Sequence, residues 1–109
     1  MYVNLGSRNI TIDDTNFGSW CNVEGSGDEV PSDGGAWKEF YKKRNNGNWP
    51  RNCCVYGCRE KATVGAHVRR LDGIQWSEEY IAPMCYRDNH HENDDPMILK
   101  PGTVLVPTK

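Results

Sequence analysis

The sequence has few of the residues that usually fill the core of a domain of its length. Leu, Ile, Val and Phe together make up about 17% of the 109 residues. When this share is below ~20% and the net charge is also large, a chain is usually disordered. The net charge of −2 is too small for that outcome, and it also argues against the broad basic face of a dedicated nucleic-acid binder. We therefore expect one small domain, residues 1–109, with a metal to stabilise it.

Two further absences concern location. No apolar run approaches the ~20 residues that span a bilayer, and residues 1–10 lack the basic start and apolar stretch of an export signal. We therefore expect a soluble, cytoplasmic protein with no membrane contact. The chain has five cysteines, which cannot all pair with one another, and in a reducing compartment they indicate a metal site rather than disulfides.

The first half of the chain predicts an N-terminal extension, residues 1–50. Short β-leaning segments at residues 2–5 and 10–12 are followed by a mobile acidic loop over residues 24–35, which is rich in Gly, Ser, Asp and Glu. A helix is predicted over residues 35–44, because the aromatic residues at positions 37, 40 and 41 share one helical face.

The second half, residues 51–109, predicts a zinc-binding core around a β-hairpin. Asp72-Gly73 lies between two β-leaning segments, residues 64–68 and 74–76, and this dipeptide is typical of hairpin turns. The return strand continues over residues 80–82, and Pro83 is predicted to stop it. Residues 97–99 and 103–106 predict a closing hairpin or edge strands.

Cysteines on both sides of this hairpin indicate one tetrahedral zinc ion. Cys54 and Cys58 form the best first pair, since Gly57 allows the chain to turn both sulfurs toward one point. Cys53 can replace Cys54 sterically, but adjacent residues do not face one centre in an extended chain, so only one of the two should bind. Cys85 is the third predicted ligand.

The fourth ligand is either Asp88 or His90. Asp88 follows Cys85 by three residues and shares its face if the segment is helical, whereas His90 is the commoner zinc ligand and is favoured if the segment is a loop. The alternative is that no metal binds and the reduced cysteines serve as small buried hydrophobes. A small α+β domain stabilised by zinc, with a central hairpin, short helices and additional short strands, is our predicted fold.

The order of these motifs resembles the treble-clef, ββα-metal domains of the HNH endonuclease superfamily. The resemblance rests on Cys54-Val-Tyr-Gly-Cys58, on Ala66-His67, and on Ile81-Ala-Pro-Met-Cys85-Tyr-Arg-Asp88-Asn89. It implies a treble-clef fold with a structural zinc, with Asp88 as its fourth ligand. It also implies a catalytic Mg²⁺ or Mn²⁺ near Asn89, Asp88 or His90, with His67 as the general base. Arg69 and Arg70 would contact phosphate.

The sequence departs from the HNH pattern at its catalytic positions. Ala66 stands where active members usually have a metal-binding residue, and no Asn precedes Ile81 to orient the base. The predicted function is therefore a zinc-binding module with a structural metal, which binds a protein or a nucleic acid. The alternative is an HNH-like, metal-dependent endonuclease that uses His67 as its base.

Overall fold

The computed structural model describes residues 8–23, 36–71, 78–89 and 95–108. These residues form one helix and one five-stranded sheet, which confirms the mixture of strands and helix expected of a small α+β domain. The elements in chain order are β1 (Ile10–Thr11), β2 (Trp20–Asn22), α1 (Trp37–Arg44), β3 (Val64–Arg70), β4 (Tyr80–Met84) and β5 (Val104–Pro107). The predicted strand over residues 2–5 and the predicted acidic loop over residues 24–35 lie outside the described residues.

The five strands lie in the order β1-β5-β4-β3-β2, and each neighbouring pair is antiparallel. At the centre, β3 and β4 pair along their length, with Val64 opposite Met84 and Val68 opposite Tyr80. The turn predicted at residues 72–73 lies outside the described residues. β1 and β2 come from the first half of the chain, yet they pair with β5 and β3 and so complete the same sheet.

β4 continues through Pro83, where the sequence predicted that it would stop. Proline is tolerated in a strand where its missing N–H removes no ladder hydrogen bond. β5 pairs with β4 only at Tyr80 and Ile81, so no strand covers that edge of β4 at Pro83. The carbonyl of Pro83 instead accepts a hydrogen bond from the Cys54 amide at 2.9 Å, which attaches the first cysteine pair to the sheet.

Residues 97–99 and 103–106 were predicted to form a closing hairpin or edge strands. Only the second segment forms a strand, β5, whereas residues 97–99 form isolated bridges with other parts of the chain. Met97 makes a single bridge with Trp20 of β2, and Leu99 makes one with Val55. This segment therefore runs between β2 and the first cysteine pair. β2 itself was not predicted, because Trp20-Cys21-Asn22 is too short to show an alternating pattern.

α1 occupies one face of the sheet, within the segment predicted as helical. Phe40 and Tyr41 are buried there, and the Tyr41 hydroxyl donates a hydrogen bond to the Val104 carbonyl at 2.7 Å. The helix approaches β3 at Gly65, where a Cβ atom would lie 2.9 Å from backbone atoms of α1. Only glycine permits this approach without a shift of the helix. Among the described residues, no helix combines the length and apolar character needed to cross a membrane.

Because successive side chains of a strand point to opposite faces, the sheet separates two cores. The helix-side core consists of Phe40, Tyr41, Ile81 and Val106, with Trp37, Trp49 and Val104 packed at its edge. The cysteine-side core consists of Ile12, Trp20, Cys53, Cys54, Cys58, Ala66, Val68, Tyr80, Ala82, Met84, Cys85, Met97, Leu99 and Leu105. Four of the five cysteines of the chain thus lie on one side of the sheet.

Candidate metal centre

Four side chains at the border of the cysteine-side core bring potential metal ligands together. The sulfurs of Cys53, Cys58 and Cys85 and a carboxylate oxygen of Asp88 all lie within 4.8 Å of one another. Cys58 Sγ is 3.9 Å from Cys85 Sγ, and Cys53 Sγ is 3.3 Å from Asp88 Oδ2. The three cysteines are buried and reduced, and Asp88 is partly buried. We call these four residues the Cys3Asp cluster.

The spacing of the Cys3Asp cluster fits one four-coordinate ion. With Zn–S bonds of ~2.3 Å and a Zn–O bond of ~2.0 Å, tetrahedral ligands lie about 3.8 Å apart for two sulfurs and about 3.5 Å apart for sulfur and oxygen. The observed separations of 3.9 and 3.3 Å are close to these values. The cluster can therefore hold a metal ion such as zinc.

The structure places Cys53 in the cluster, whereas the sequence favoured Cys54. The Cys54 amide donates to Pro83 O at 2.9 Å, and its carbonyl accepts from the Lys100 amide at 2.8 Å. Cys54 is thereby fixed between β4 and the segment that follows Met97, and its neighbour Cys53 faces the other ligands. Burial, together with the nearby Cys54, raises the pKa of Tyr41 to about 12.

A tight turn brings Cys53 and Cys58 to the same centre. The Cys58 amide donates to Val55 O at 3.0 Å, and Gly57 has a φ of 85° within this turn. Such a positive φ is costly for other residues, so Gly57 is required here, as the sequence indicated. Below the turn, Asn52 bridges to Lys61 and the Cys53 amide donates to Glu60 O at 2.8 Å. We call residues 52–61 the knuckle.

The Lys100 ammonium group joins the two ends of the knuckle by hydrogen bonds. Its Nζ donates to Cys53 O at 2.8 Å and to Cys58 O at 2.7 Å. One ammonium group thus binds the carbonyls of two residues of the Cys3Asp cluster and satisfies both acceptors. No sequence motif indicated this role, since Lys100 lies 42 residues beyond Cys58.

The second half of the cluster is a turn that follows β4. The Asp88 amide donates to Cys85 Sγ at 3.3 Å, and the Asn89 amide donates to Cys85 O at 3.1 Å. These bonds place Asp88 beside Cys85, which precedes it by three residues. This is the arrangement that the sequence analysis predicted if the segment is helical. Asn22 of β2 donates to Asp88 O at 2.9 Å and so anchors the turn to the sheet. His90, the alternative fourth ligand, lies outside the described residues.

Burial keeps the thiols of the Cys3Asp cluster neutral when no metal is bound. Burial raises the pKa of the Cys58 thiol and raises that of Cys85 to about 12, while the hydrogen bond with Cys54, together with burial, raises the pKa of Cys53. Without a metal, the thiols therefore stay protonated and serve as hydrogen-bond donors. A divalent ion would stabilise them as thiolates, with release of their protons.

Asp88 is the anionic member of the cluster. Partial burial by itself would raise its pKa, but hydrogen bonds from the Cys58, Cys85 and Cys53 thiols and the charge of Arg87 together lower it. Arg87 reaches back over the cluster, with its Nη2 3.6 Å from Cys58 Sγ and its Nε 3.9 Å from Asp88 Oδ1. Its positive charge offsets part of the negative charge that three thiolates and a carboxylate would carry.

The two residues assigned to catalysis by the HNH resemblance lie on different sides of the sheet. His67 is 4% exposed, pairs with Ile81 across the sheet and faces α1. The centroids of the His67 and Trp37 rings are 4.4 Å apart, and His67 Nδ1 is 3.7 Å from a Glu79 carboxylate oxygen. Asn89 belongs to the turn beside the Cys3Asp cluster. The structure therefore does not bring His67 and Asn89 to one centre.

The two arginines predicted to contact phosphate point away from each other. They are adjacent in β3, so Arg69 lies on the face of Cys21 and Arg70 on the face of Trp20. Arg70 donates to the carbonyls of Gly18 and Thr15, each at 3.3 Å, and so fixes the loop before β2.

Other cationic side chains lie together near the Cys3Asp cluster. They line a groove of about 610 Å³ that includes Arg59, Lys61 and Arg87, with Tyr86 and Glu60 beside them.

Comparisons with known proteins give no match for this chain, whether with protein-family models, with curated proteins or with solved structures. Its function is accordingly argued from the site itself.

Proposed function

We propose that this protein is a small zinc-binding module whose metal is structural and whose activity is the binding of a protein or a nucleic acid. The observation that carries the proposal is the spacing of the Cys3Asp cluster, in which four ligand atoms lie within 4.8 Å of one another. Two segments that are distant in sequence, the knuckle and the turn after β4, supply these ligands. One ion bound between them would fix the cysteine side of the domain.

The donor set favours zinc among common metals. Thiolates select soft or borderline ions, whereas Mg²⁺ and Ca²⁺ prefer oxygen ligands in larger number. Three sulfurs and one carboxylate oxygen also satisfy all four positions of tetrahedral zinc. Because catalytic zinc sites usually keep one position for water or substrate, four protein ligands indicate a structural ion.

The treble-clef fold of the HNH resemblance is also part of this proposal. The knuckle, the hairpin of β3 and β4, and the turn that begins after Cys85 follow one another in the order that the resemblance implies. Residues 90–94, which would continue a treble-clef helix, lie outside the described residues.

The burial of His67 favours binding over the nuclease alternative. A general base must reach the proton it removes, whereas His67 lies beneath Trp37 and on the opposite face from the Cys3Asp cluster. The T-shaped contact with Trp37 and the nearby Glu79 carboxylate suit a histidine that packs α1 against the sheet. We therefore assign His67 to packing.

The metal content of natively purified protein tests the proposal. We expect one zinc per chain, retention of that zinc in Cys54→Ser, and its loss in Cys53→Ser. Chelation should abolish the dispersed NMR signals of the knuckle. Protein without bound zinc, or zinc bound equally by the Cys53→Ser variant, would contradict the proposal.

A nuclease assay separates the alternative. Incubation of the zinc-loaded protein with plasmid and Mg²⁺ or Mn²⁺ should leave the plasmid intact, for the wild type and for His67→Ala alike. Nicking by the wild type that His67→Ala abolishes would establish the nuclease function instead.

A further inference from the structure

Three large apolar side chains that are exposed on the surface lie together in one groove. Phe17, Tyr56 and Ile98 are 43%, 66% and 46% exposed. With Leu99 and Pro101 they line an open cavity of about 320 Å³, at the edge of which lie two aspartates, Asp13 and Asp14. Single exposed apolar residues are ordinary, but a contiguous patch beside a concave surface is typical of an interaction site. We call this feature the apolar groove.

Backbone hydrogen bonds hold the walls of the apolar groove in place. The Leu99 amide donates to Phe17 O at 3.0 Å, and the Tyr56 amide donates to Ile98 O at 2.8 Å. The three exposed side chains therefore extend from segments that are joined edge to edge. A groove that is already formed loses less conformational entropy when a ligand binds.

The apolar groove is coupled to the Cys3Asp cluster through Tyr56. This residue lies in the turn of the knuckle, between the ligands Cys53 and Cys58. The orientation of one wall of the groove therefore depends on the turn that the metal holds.

The charge at the edge of the groove is negative. Asp13 Oδ1 accepts hydrogen bonds from the amide and the hydroxyl of Thr15, at 2.8 and 2.6 Å, and these bonds lower the pKa of Asp13. Asp14, next to it, is exposed. The residues that line the groove include no Lys, Arg or His, so a cationic ligand would meet complementary charge and no repulsion.

We propose that the apolar groove binds an extended segment of a partner protein that carries an apolar anchor residue next to Lys or Arg. The anchor would lie between Tyr56, Phe17 and Ile98, and the basic side chain would pair with Asp13 or Asp14. This inference rests on the proposed function, because the metal-held knuckle forms one wall.

The same observations disfavour a nucleic acid as the occupant. Phosphates would be repelled by the two aspartates at the groove edge. The groove that contains Arg59 and Lys61 is the more cationic surface, but Arg87 there is directed at Cys58 Sγ and Asp88, and Glu60 lies among the cations. A peptide at the apolar groove therefore fits the described surface better than a polyanion does.

Selection from a random dodecapeptide phage library, with the zinc-loaded full chain as the target, tests the proposal. We expect enriched peptides to combine an aromatic or large aliphatic residue with Lys or Arg within a few positions. Their synthetic forms are then measured by fluorescence anisotropy, together with a single-stranded oligonucleotide as the polyanion probe, and the zinc content of every protein sample is determined.

The chain offers matched control variants. Tyr56 and Tyr86 are both exposed tyrosines between two residues of the Cys3Asp cluster, but only Tyr56 lines the apolar groove. Tyr56→Ser should weaken peptide binding roughly tenfold, whereas Tyr86→Ser should leave it unchanged. Asp14→Lys should weaken it several-fold and reduce its salt dependence, whereas Glu39→Gln, on the exposed face of α1, should not.

The outcomes separate this inference from the proposed function. If one zinc is bound per chain and no peptide is enriched, or if binding is unaffected by Tyr56→Ser, the docking proposal is wrong and the metal proposal stands. Enrichment of acidic peptides, tight oligonucleotide binding that Tyr56→Ser weakens, or self-association that Tyr56→Ser abolishes would each assign the groove to another occupant. If no zinc is bound, the proposed function fails whatever the peptides show.

Discussion

The two faces of the sheet are stabilised by different means. The helix-side core is built from large aromatic and aliphatic side chains, whereas the cysteine-side core combines such side chains, among them Trp20 and Tyr80, with four cysteines. On the helix side, two pairs of rings pack edge to face. The ring centroids of Trp37 and Phe40 are 4.9 Å apart, and those of Tyr41 and Trp49 are 5.3 Å apart. The comparison shows that one sheet can carry a core of packed aromatic rings on one face and, on the other, a core that contains a cluster of potential metal ligands.

The two faces of the sheet are covered by different kinds of chain segment. The helix side is covered by a regular element, α1, whose apolar face supplies the buried area. The cysteine side is covered by irregular segments, the knuckle and residues 95–100, which are joined by a bridge between Val55 and Leu99 and by hydrogen bonds from the Lys100 ammonium group. A metal ion bound by the Cys3Asp cluster would cross-link the knuckle to the turn after β4, on the face of the sheet opposite α1.

Loss of a thiol ligand should have the largest effect. In Cys85→Ser, the coordination free energy, roughly 10–16 kcal/mol in small zinc peptides, would be largely lost, which rivals the ~5–15 kcal/mol stability of a whole domain. We expect no stoichiometric zinc and loss of NMR dispersion on the cysteine side. The matched variant Cys54→Ser, buried but outside the cluster, should keep its zinc and lose about 1–3 kcal/mol. Equal effects of both substitutions would contradict the contrast between the faces.

Truncation of the helix-side core should have the next largest effect. Phe40→Ala removes a fully buried ring and should lower the free energy of unfolding by about 3–5 kcal/mol, as measured by chemical denaturation. The variant should still bind one zinc per chain. Glu39→Ala, its exposed neighbour with a surface ion pair to Lys42, should change stability by about 0.5 kcal/mol or less. Loss of zinc from Phe40→Ala at temperatures where it is folded would show that the two faces are not independent.

Lys100 tests the support of the metal centre from outside its ligands. Lys100→Met keeps the length of the side chain but leaves Cys53 O and Cys58 O without the ammonium donor. Hydrogen bonds to charged groups contribute about 1.5–3 kcal/mol, so we expect zinc affinity, measured by competition with a chromophoric chelator, to fall about tenfold or more. Lys42→Met, at a partly exposed position of α1 that is not part of the knuckle, is the control. An unchanged zinc affinity of Lys100→Met would mean that the hydrogen bonds of the Lys100 ammonium group do not support the metal ligands.

Gly65 tests the contact between α1 and the sheet. In Gly65→Ala the added methyl group would lie 2.9 Å from backbone atoms of Trp37 and Lys38, so the helix must move away. Such overpacking costs about 1–3 kcal/mol, and the change in thermal unfolding measures it. The His67 ring signals should shift, because His67 lies on the same face of β3, while the zinc content should not change. A neutral substitution would indicate that α1 rests loosely on the sheet.

The sequence predicted the parts of the fold that depend on local pattern. The aromatic spacing of α1, the hairpin of β3 and β4, and the turn at Gly57 all follow from residues close together in the chain. The thiols of Cys58 and Cys85, separated by 27 residues, were expected at one centre, and the structure brings them to 3.9 Å.

Features that depend on distant partners could not be predicted from the sequence. The orientation of Cys53 and Cys54 is decided by hydrogen bonds of Cys54 to Pro83 and Lys100, not by the spacing to Cys58. Pro83 remains within β4 because β5 ends its pairing at Ile81. The apolar groove combines residues from three separate segments, none of which is unusual alone.

The zinc K-edge X-ray absorption spectrum of the loaded protein tests the central claim most directly. The Cys3Asp cluster predicts a first shell of three sulfurs at about 2.3 Å and one oxygen at about 2.0 Å. The spectrum of Cys54→Ser should be the same, whereas Cys53→Ser should no longer hold one zinc per chain, and any zinc that it retains should show one sulfur fewer. A first shell with an imidazole nitrogen in place of the oxygen, or one that loses its sulfur in Cys54→Ser and not in Cys53→Ser, would contradict the claim.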